Sequence, residues 1–282
     1  MVNEQKVSIV GAGQMGSGIA ITFALAGYSV LVLDIKDEFV KSGLKKIEDF
    51  LERSVKKEKI TTKEKQAILG RVSTSTSMKE AADSFLVVEA ATENLEIKLT
   101  IFKELDELCD SETILASNTS TYSIAKIASV TNRPEKVIGM HFFIPAPVMK
   151  LVEVIPGIKT SSGTTKKVVE IGGKIGKKVA VAPDSSGFIV NRLLVPMWNE
   201  AANLVAEGTK PEDIDIAMKN GANLPMGPLE LADFAGLDTT LSVMEEMYAY
   251  FGDPKFRPSP LLRKMVDAGL YGRKTGEGFY KY

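Results

Sequence analysis

The sequence predicts an α/β fold: an N-terminal, mostly parallel sheet with helices on both faces, followed by a smaller all-α C-terminal domain. Three observations carry this. Short, continuously apolar, β-branched runs alternate with helical stretches through the first two thirds of the chain, as strands covered on both faces require. From Gly187 onward no further alternating strand is legible and helical segments dominate. At 282 residues the chain exceeds the usual single-domain size. The change of pattern near residues 184–187 places the boundary there, giving domains 1–184 and 185–282.

Taken in order, residues 6–10 and 29–33 read as the first two strands, joined by a helix that carries Ile19, Phe23 and Ala26. Residues 37–70 are rich in charge, yet Leu44, Ile47, Leu51 and Val55 recur at helical spacing, which predicts a protruding helical pair. Residues 85–89, 113–117 and 137–140 read as further buried strands. Runs at 150–155 and 177–181 extend the sheet and flank a helix at about 164–172. In the second part, a helix over 188–207 ends at the turn Gly208-Thr209-Lys210-Pro211. Pro225-Met226-Gly227-Pro228 breaks the helical region, Pro254, Pro258 and Pro260 mark a looser connection, and the tail at 272–282 reads as extended. No internal repeat or low-complexity segment is present.

Composition narrows the partners. Hydrophobic residues make up 44% and charged residues 25%, the balance of a folded globule. Thirty-five Lys and Arg against 36 Asp and Glu leave a net charge of -1, so no global field collects nucleic acid or an anionic membrane. The expectation is a protein without nucleic-acid or membrane partners, since no apolar run reaches spanning length and no secretory signal is legible. A single cysteine, Cys109, has no partner for a disulfide or a thiolate metal site. That suits the reducing cytoplasm and predicts a buried, inert thiol and no metal.

The first motif with chemistry in it is Gly11-Ala12-Gly13-Gln14-Met15-Gly16, placed between a strand and a helix. There each glycine has a mechanical role. Gly11 makes the tight turn, Gly13 lets a pyrophosphate approach the backbone, and Gly16 lets helix pack on strand. The helix N-terminus then faces the phosphates. Asp34 ends the next strand, where a carboxylate can accept both ribose hydroxyls and would repel a 2'-phosphate. Strand, spacing and acid together identify a Rossmann-type dinucleotide site and favour NAD over NADP, although FAD shares the glycine fingerprint.

His141, the only histidine, ends a predicted strand, and open α/β sheets place their ligands beyond the carboxyl ends of strands. Alcohol oxidation by hydride transfer needs a base for the hydroxyl proton, and imidazole, with an ordinary pKa of about 6.5, is suited to that role. A structural histidine packed beside Phe142 and Phe143 is the competing reading. Glu153 lies within the apolar run Leu151-Val152-Glu153-Val154-Ile155. Buried, it needs a partner, and a neighbouring imidazole would supply one. Pointing to a wet face, it would need none.

Several blocks taken together resemble the L-3-hydroxyacyl-CoA dehydrogenase family across essentially the full chain. They are the glycine turn, Val87-Val88-Glu89-Ala90-Ala91-Thr92-Glu93-Asn94, Ser117-Asn118-Thr119-Ser120, His141-Phe142-Phe143, Pro147-Val148-Met149-Lys150-Leu151-Val152-Glu153-Val154, Gly187-Phe188-Ile189-Val190-Asn191-Arg192, Pro225-Met226-Gly227-Pro228 and Lys274-Thr275-Gly276-Glu277-Gly278-Phe279-Tyr280. The resemblance implies NAD-dependent interconversion of a short-chain acyl-CoA thioester, (S)-3-hydroxybutyryl-CoA, and acetoacetyl-CoA. It implies that His141 is the base and Glu153 its orienting carboxylate, with Ser120 and Asn191 holding the substrate. It further implies that Glu93, Lys98 and Lys274 contact NAD, and that the chain forms a homodimer. Lys57 falls near a lysine that meets coenzyme A in the family; a solvated helix face explains it equally well. Two positions depart from the pattern: Ile144 stands where the family usually has Asn, and Ser186 where it has Pro. A dehydrogenase of another hydroxy acid, such as the gulonate enzymes, and a non-catalytic, crystallin-like NAD-binding protein are the rival readings.

Overall fold

The computed structural model describes residues 5–282, and the chain divides into two compact units, one running through Asp184 and the other from Ser185 to Tyr282. The first unit contains, in order, β1 (Lys6–Val10), α1 (Gln14–Leu25), β2 (Ser29–Leu33), α2 (Asp37–Lys56), α3 (Thr62–Leu69), β3 (Val72–Ser75), β4 (Leu86–Glu89), α4 (Leu95–Leu108), β5 (Ile114–Ser117), α5 (Ile124–Ala128), β6 (Val137–Phe142), β7 (Leu151–Pro156), α6 (Ser162–Lys174) and β8 (Lys178–Val181). These strands form one eight-stranded sheet in the order β3-β2-β1-β4-β5-β6-β7-β8. Strands β1 to β6 are parallel; β7 pairs antiparallel with β6, and β8 parallel with β7. The order reverses at β1, where β2 lies on one side and β4 on the other, and such a switch point opens a crevice at the carboxyl ends of the strands.

Every residue of β4, β5 and β6 is buried, which explains why these strands announce themselves as uninterrupted apolar runs. β3 does not. It lies at the sheet edge, and Val72-Ser73-Thr74-Ser75 is polar and only partly buried, so no apolar run marks it.

The charged stretch after β2 is helical, but it packs on the domain instead of protruding. Val40, Gly43, Ile47 and Leu51 of α2 are buried, and α2 lies against α1 and β3. The apolar stripe forces this: Ile47 and Leu51 join the main core with Val7, Ile9, Phe23 and Val32, and an amphipathic helix is stable only with that face covered. α3 begins with a capping box in which the Thr61 hydroxyl and the Glu64 carboxylate satisfy each other's backbone amides.

The second unit holds α7 (Val190–Ala206), α8 (Pro211–Gly221), α9 (Pro228–Ala235), α10 (Leu237–Phe251) and α11 (Pro260–Asp267) around a core that includes Val195, Trp198, Leu237, Met244, Met247 and Leu262. No helix of the described residues is long and apolar enough to cross a membrane. The tail is not extended as expected. It folds into a hook with isolated bridges from Glu277 to Gly272 and to Lys281. Asp233, fully buried, accepts hydrogen bonds from the amides of Phe279 and Tyr280, each at 3.0 Å, and from the Tyr282 hydroxyl at 3.2 Å. Asp215 takes the Tyr280 hydroxyl at 2.8 Å. Buried carboxylates must be saturated with donors, and here the tail supplies them, a long-range demand that local composition does not reveal.

Candidate active site

At the glycine turn the backbone leaves no room for a side chain at two of the three glycines. Gly11 has φ +107°, and a Cβ there would strike the Ala90 carbonyl; one at Gly16 would overlap the carbonyl of Gly11. Gly13, which opens α1, has nothing within 4 Å of where a Cβ would stand, so the backbone is bare where a ligand must approach. Asp34 is preset: its Oδ2 accepts the Ala12 amide at 2.7 Å and its Oδ1 the Ile35 amide at 2.8 Å. Gly11, Gly13 and Asp34 line a cavity of about 1050 Å³ that also involves Thr76, Ala91 and Thr92. A bare helix N-terminus for phosphates, a fixed carboxylate for ribose hydroxyls and a volume at the upper end of ordinary cofactor sites fit NAD.

His141 and Glu153 are brought together by register. They are direct cross-strand partners on β6 and β7, so both side chains share one face of the sheet. The His141 Nδ1 lies 2.7 Å from Glu153 Oε2. Glu153 is fully buried and His141 is 6% exposed, which removes the wet-face reading of the acid. With Glu153 as a carboxylate, which only accepts, the hydrogen between the two side chains belongs to Nδ1. The Phe143 ring leans on the imidazole with centroids 4.5 Å apart. Ile144 follows, half exposed.

A second cluster lies at the ends of β4 and β5. Glu93 Oε1 accepts from Thr119 Oγ1 at 2.6 Å, from the Ser120 amide at 3.0 Å and from Thr121 Oγ1 at 2.9 Å. Burial pushes the Glu93 carboxyl up, but the Lys98 charge, the Thr119 hydroxyl and the Ser120 amide outweigh it and hold the group below its ordinary range. Lys98, expected at the cofactor, is almost wholly buried beneath this cluster, with Nζ 3.1 Å from Glu93 Oε2 and 2.9 Å from Glu89 Oε1.

Asn118 and Glu89 are the residues to which the motifs assign no role. Asn118 Oδ1 accepts the Phe142 amide at 2.9 Å, tying the loop that carries Ser120 to the strand that carries His141. Glu89 ends an apolar strand, the same signal that singles out Glu153, and it too is fully buried and paired. Of the remaining predicted residues, Lys57 is the exposed C-cap of α2. Asn191 sits in the first turn of α7 in the second unit. Lys274 lies in the hook of that unit, its Nζ bonded to Asp238 at 2.8 Å and to Thr239 at 3.0 Å.

Comparison with known proteins gives the family. Residues 6–185 match the NAD-binding domain model of 3-hydroxyacyl-CoA dehydrogenase, and residues 187–282 match the C-terminal domain model of the same family. A probable 3-hydroxybutyryl-CoA dehydrogenase of Bacillus subtilis is 51% identical over 99% of this chain and 97% of its own length. The 3-hydroxybutyryl-CoA dehydrogenase of Bradyrhizobium diazoefficiens is 48% identical over 99% and 95%. The crystal structure of (S)-3-hydroxybutyryl-CoA dehydrogenase from Ralstonia eutropha superimposes with a TM-score of 0.97 at 48% identity, covering 99% of both chains. With its Rossmann unit, a cavity lined by Gly11, Gly13 and Asp34 and both domain models matched in order, the chain belongs to the 3-hydroxyacyl-CoA dehydrogenase family.

Proposed function

We propose that this protein catalyses the reversible NAD-dependent oxidation of (S)-3-hydroxybutyryl-CoA to acetoacetyl-CoA. The observation that carries the reading is the buried His141–Glu153 pair on a chain whose relatives, 48–51% identical over nearly its full length, bear the name of that activity. His141 removes the proton of the 3-hydroxyl through Nε2, and Glu153 stabilises the imidazolium as it forms. NAD, when bound, supplies the acceptor for the C3 hydride. In the reverse direction His141 returns the proton to the 3-oxo oxygen.

Ser120 holds the reacting oxygen, its loop fixed by Glu93, and Asn191 is given the same role on the family match alone. Glu93, and Lys98 through it, serve the cofactor together with Gly11, Gly13, Gly16, Asp34 and Lys274. Lys57 meets the coenzyme A moiety in this reading, and the chain works as a homodimer in the cytoplasm.

The test follows NADH absorbance during reduction of acetoacetyl-CoA, beside NADPH, free acetoacetate and the His141→Ala variant. The thioester is reduced with NADH, both substitutes turn over poorly, and removing the imidazole costs about a thousandfold in kcat. A wild type that binds NADH yet leaves the thioester untouched overturns the proposal.

A further inference from the structure

Beneath the loop that carries Ser120 lies a relay of buried charges that begins at Glu89. This residue is fully buried at the end of β4. Its two oxygens hold Lys98 Nζ at 2.9 and 3.1 Å. Oε1 also takes the Ala91 amide at 2.8 Å, and Oε2 takes the Ser117 hydroxyl at 2.7 Å. Lys98, gripped on both carboxylate oxygens, turns its ammonium to Glu93 Oε2 at 3.1 Å. Glu93 is the one partly exposed member, with its side chain 39% accessible, and its other oxygen gathers the hydroxyls of Thr119 and Thr121 and the Ser120 amide.

Two carboxylates thus share one buried ammonium. Around Lys98 and Glu89, from which water is nearly excluded, an ammonium released by one carboxylate is drawn to the other, and the position of each charge depends on all three. Glu93, at the exposed edge, owes its place to the groups it bonds. On its buried side that group is Lys98, and Lys98 is held by Glu89.

We propose that Glu89 is a positioning residue: through Lys98 it sets the Glu93 carboxylate, and through Glu93 the Thr119–Ser120–Thr121 segment that faces the substrate. The placement of substrate beside Ser120 rests on the function proposed above; the ordering of the segment does not.

The test compares Glu89→Gln, Glu93→Gln and the double variant of the full chain. Glu89→Gln is nearly isosteric and keeps an acceptor for the Ala91 amide, so the fold survives while the charge that holds Lys98 is removed. Hydrogen exchange at the Ser120 and Thr121 amides rises about tenfold in Glu89→Gln, with exchange in β1 and β2 unchanged, because local opening is read separately from global unfolding. In NADH-linked reduction of acetoacetyl-CoA, kcat falls about tenfold, and the double variant is no slower than Glu93→Gln alone, as expected for groups acting as one unit. Unchanged exchange at residues 120–121, or losses that multiply in the double variant, overturns the proposal and leaves Glu89 a purely structural acid. If the wild type does not reduce the thioester, the functional reading falls, and hydrogen exchange alone still decides the role of Glu89.

Discussion

A methyl group at position 16 has nowhere to go, because the carbonyl oxygen of Gly11 occupies its place. Gly16→Ala therefore forces the turn open, lowering stability by about 2 kcal/mol in a thermal melt and abolishing saturable NADH binding in a fluorescence titration. Cys109 shows the opposite situation, a reactive group kept idle. Burial, with help from Asp106 and Asp83 and against Arg133, pushes its thiol up to about 11. At pH 8 only about one thiol in a thousand is then ionised, so an alkylating reagent leaves the native protein unmodified and labels it stoichiometrically once unfolded. His141, Glu153 and the glycines are legible in the sequence because an acid in an apolar strand and a strained turn are local signals. The role of Lys98 is not legible in the same way: a lysine in a helix is ordinarily a solvated one, and only the folded arrangement reveals that two carboxylates bury it.

The elements are legible to the extent that they are apolar. β4, β5 and β6 declare themselves because they are buried on both faces, whereas β3 and the hook owe their form to partners distant in sequence. The hook hangs on Asp233, so Asp233→Ala leaves the Phe279 and Tyr280 amides without their acceptor. It costs about 3 kcal/mol of unfolding free energy in denaturant melts and speeds hydrogen exchange across residues 277–282. The segment at 119–121 responds to acid. Glu93 has its folded pKa below the ordinary 4.5, so its contribution is whole above that value and is lost as pH falls through the lower, folded one. Protection of the Ser120 amide, its exchange taken relative to the intrinsic rate at each pH, consequently holds from neutrality down through pH 4.5 and falls only below it.

At the scale of the whole molecule, each unit has its own apolar core, while every residue lining the dinucleotide cavity belongs to the first. NADH at a hundredfold excess over its Kd stabilises that unit by about 2.7 kcal/mol; calorimetry registers the shift with NADH and a much smaller one with NADPH, because Asp34 repels the extra phosphate. The pairing of His141 with Glu153 has a different reach. It is a property of two hydrogen-bonded strands in fixed register; the connection between them lends the imidazole the Phe143 ring, and its Val148 and Met149 face solvent. A change of length at Val148 and Met149 therefore leaves the 2.7 Å contact between His141 and Glu153 in place.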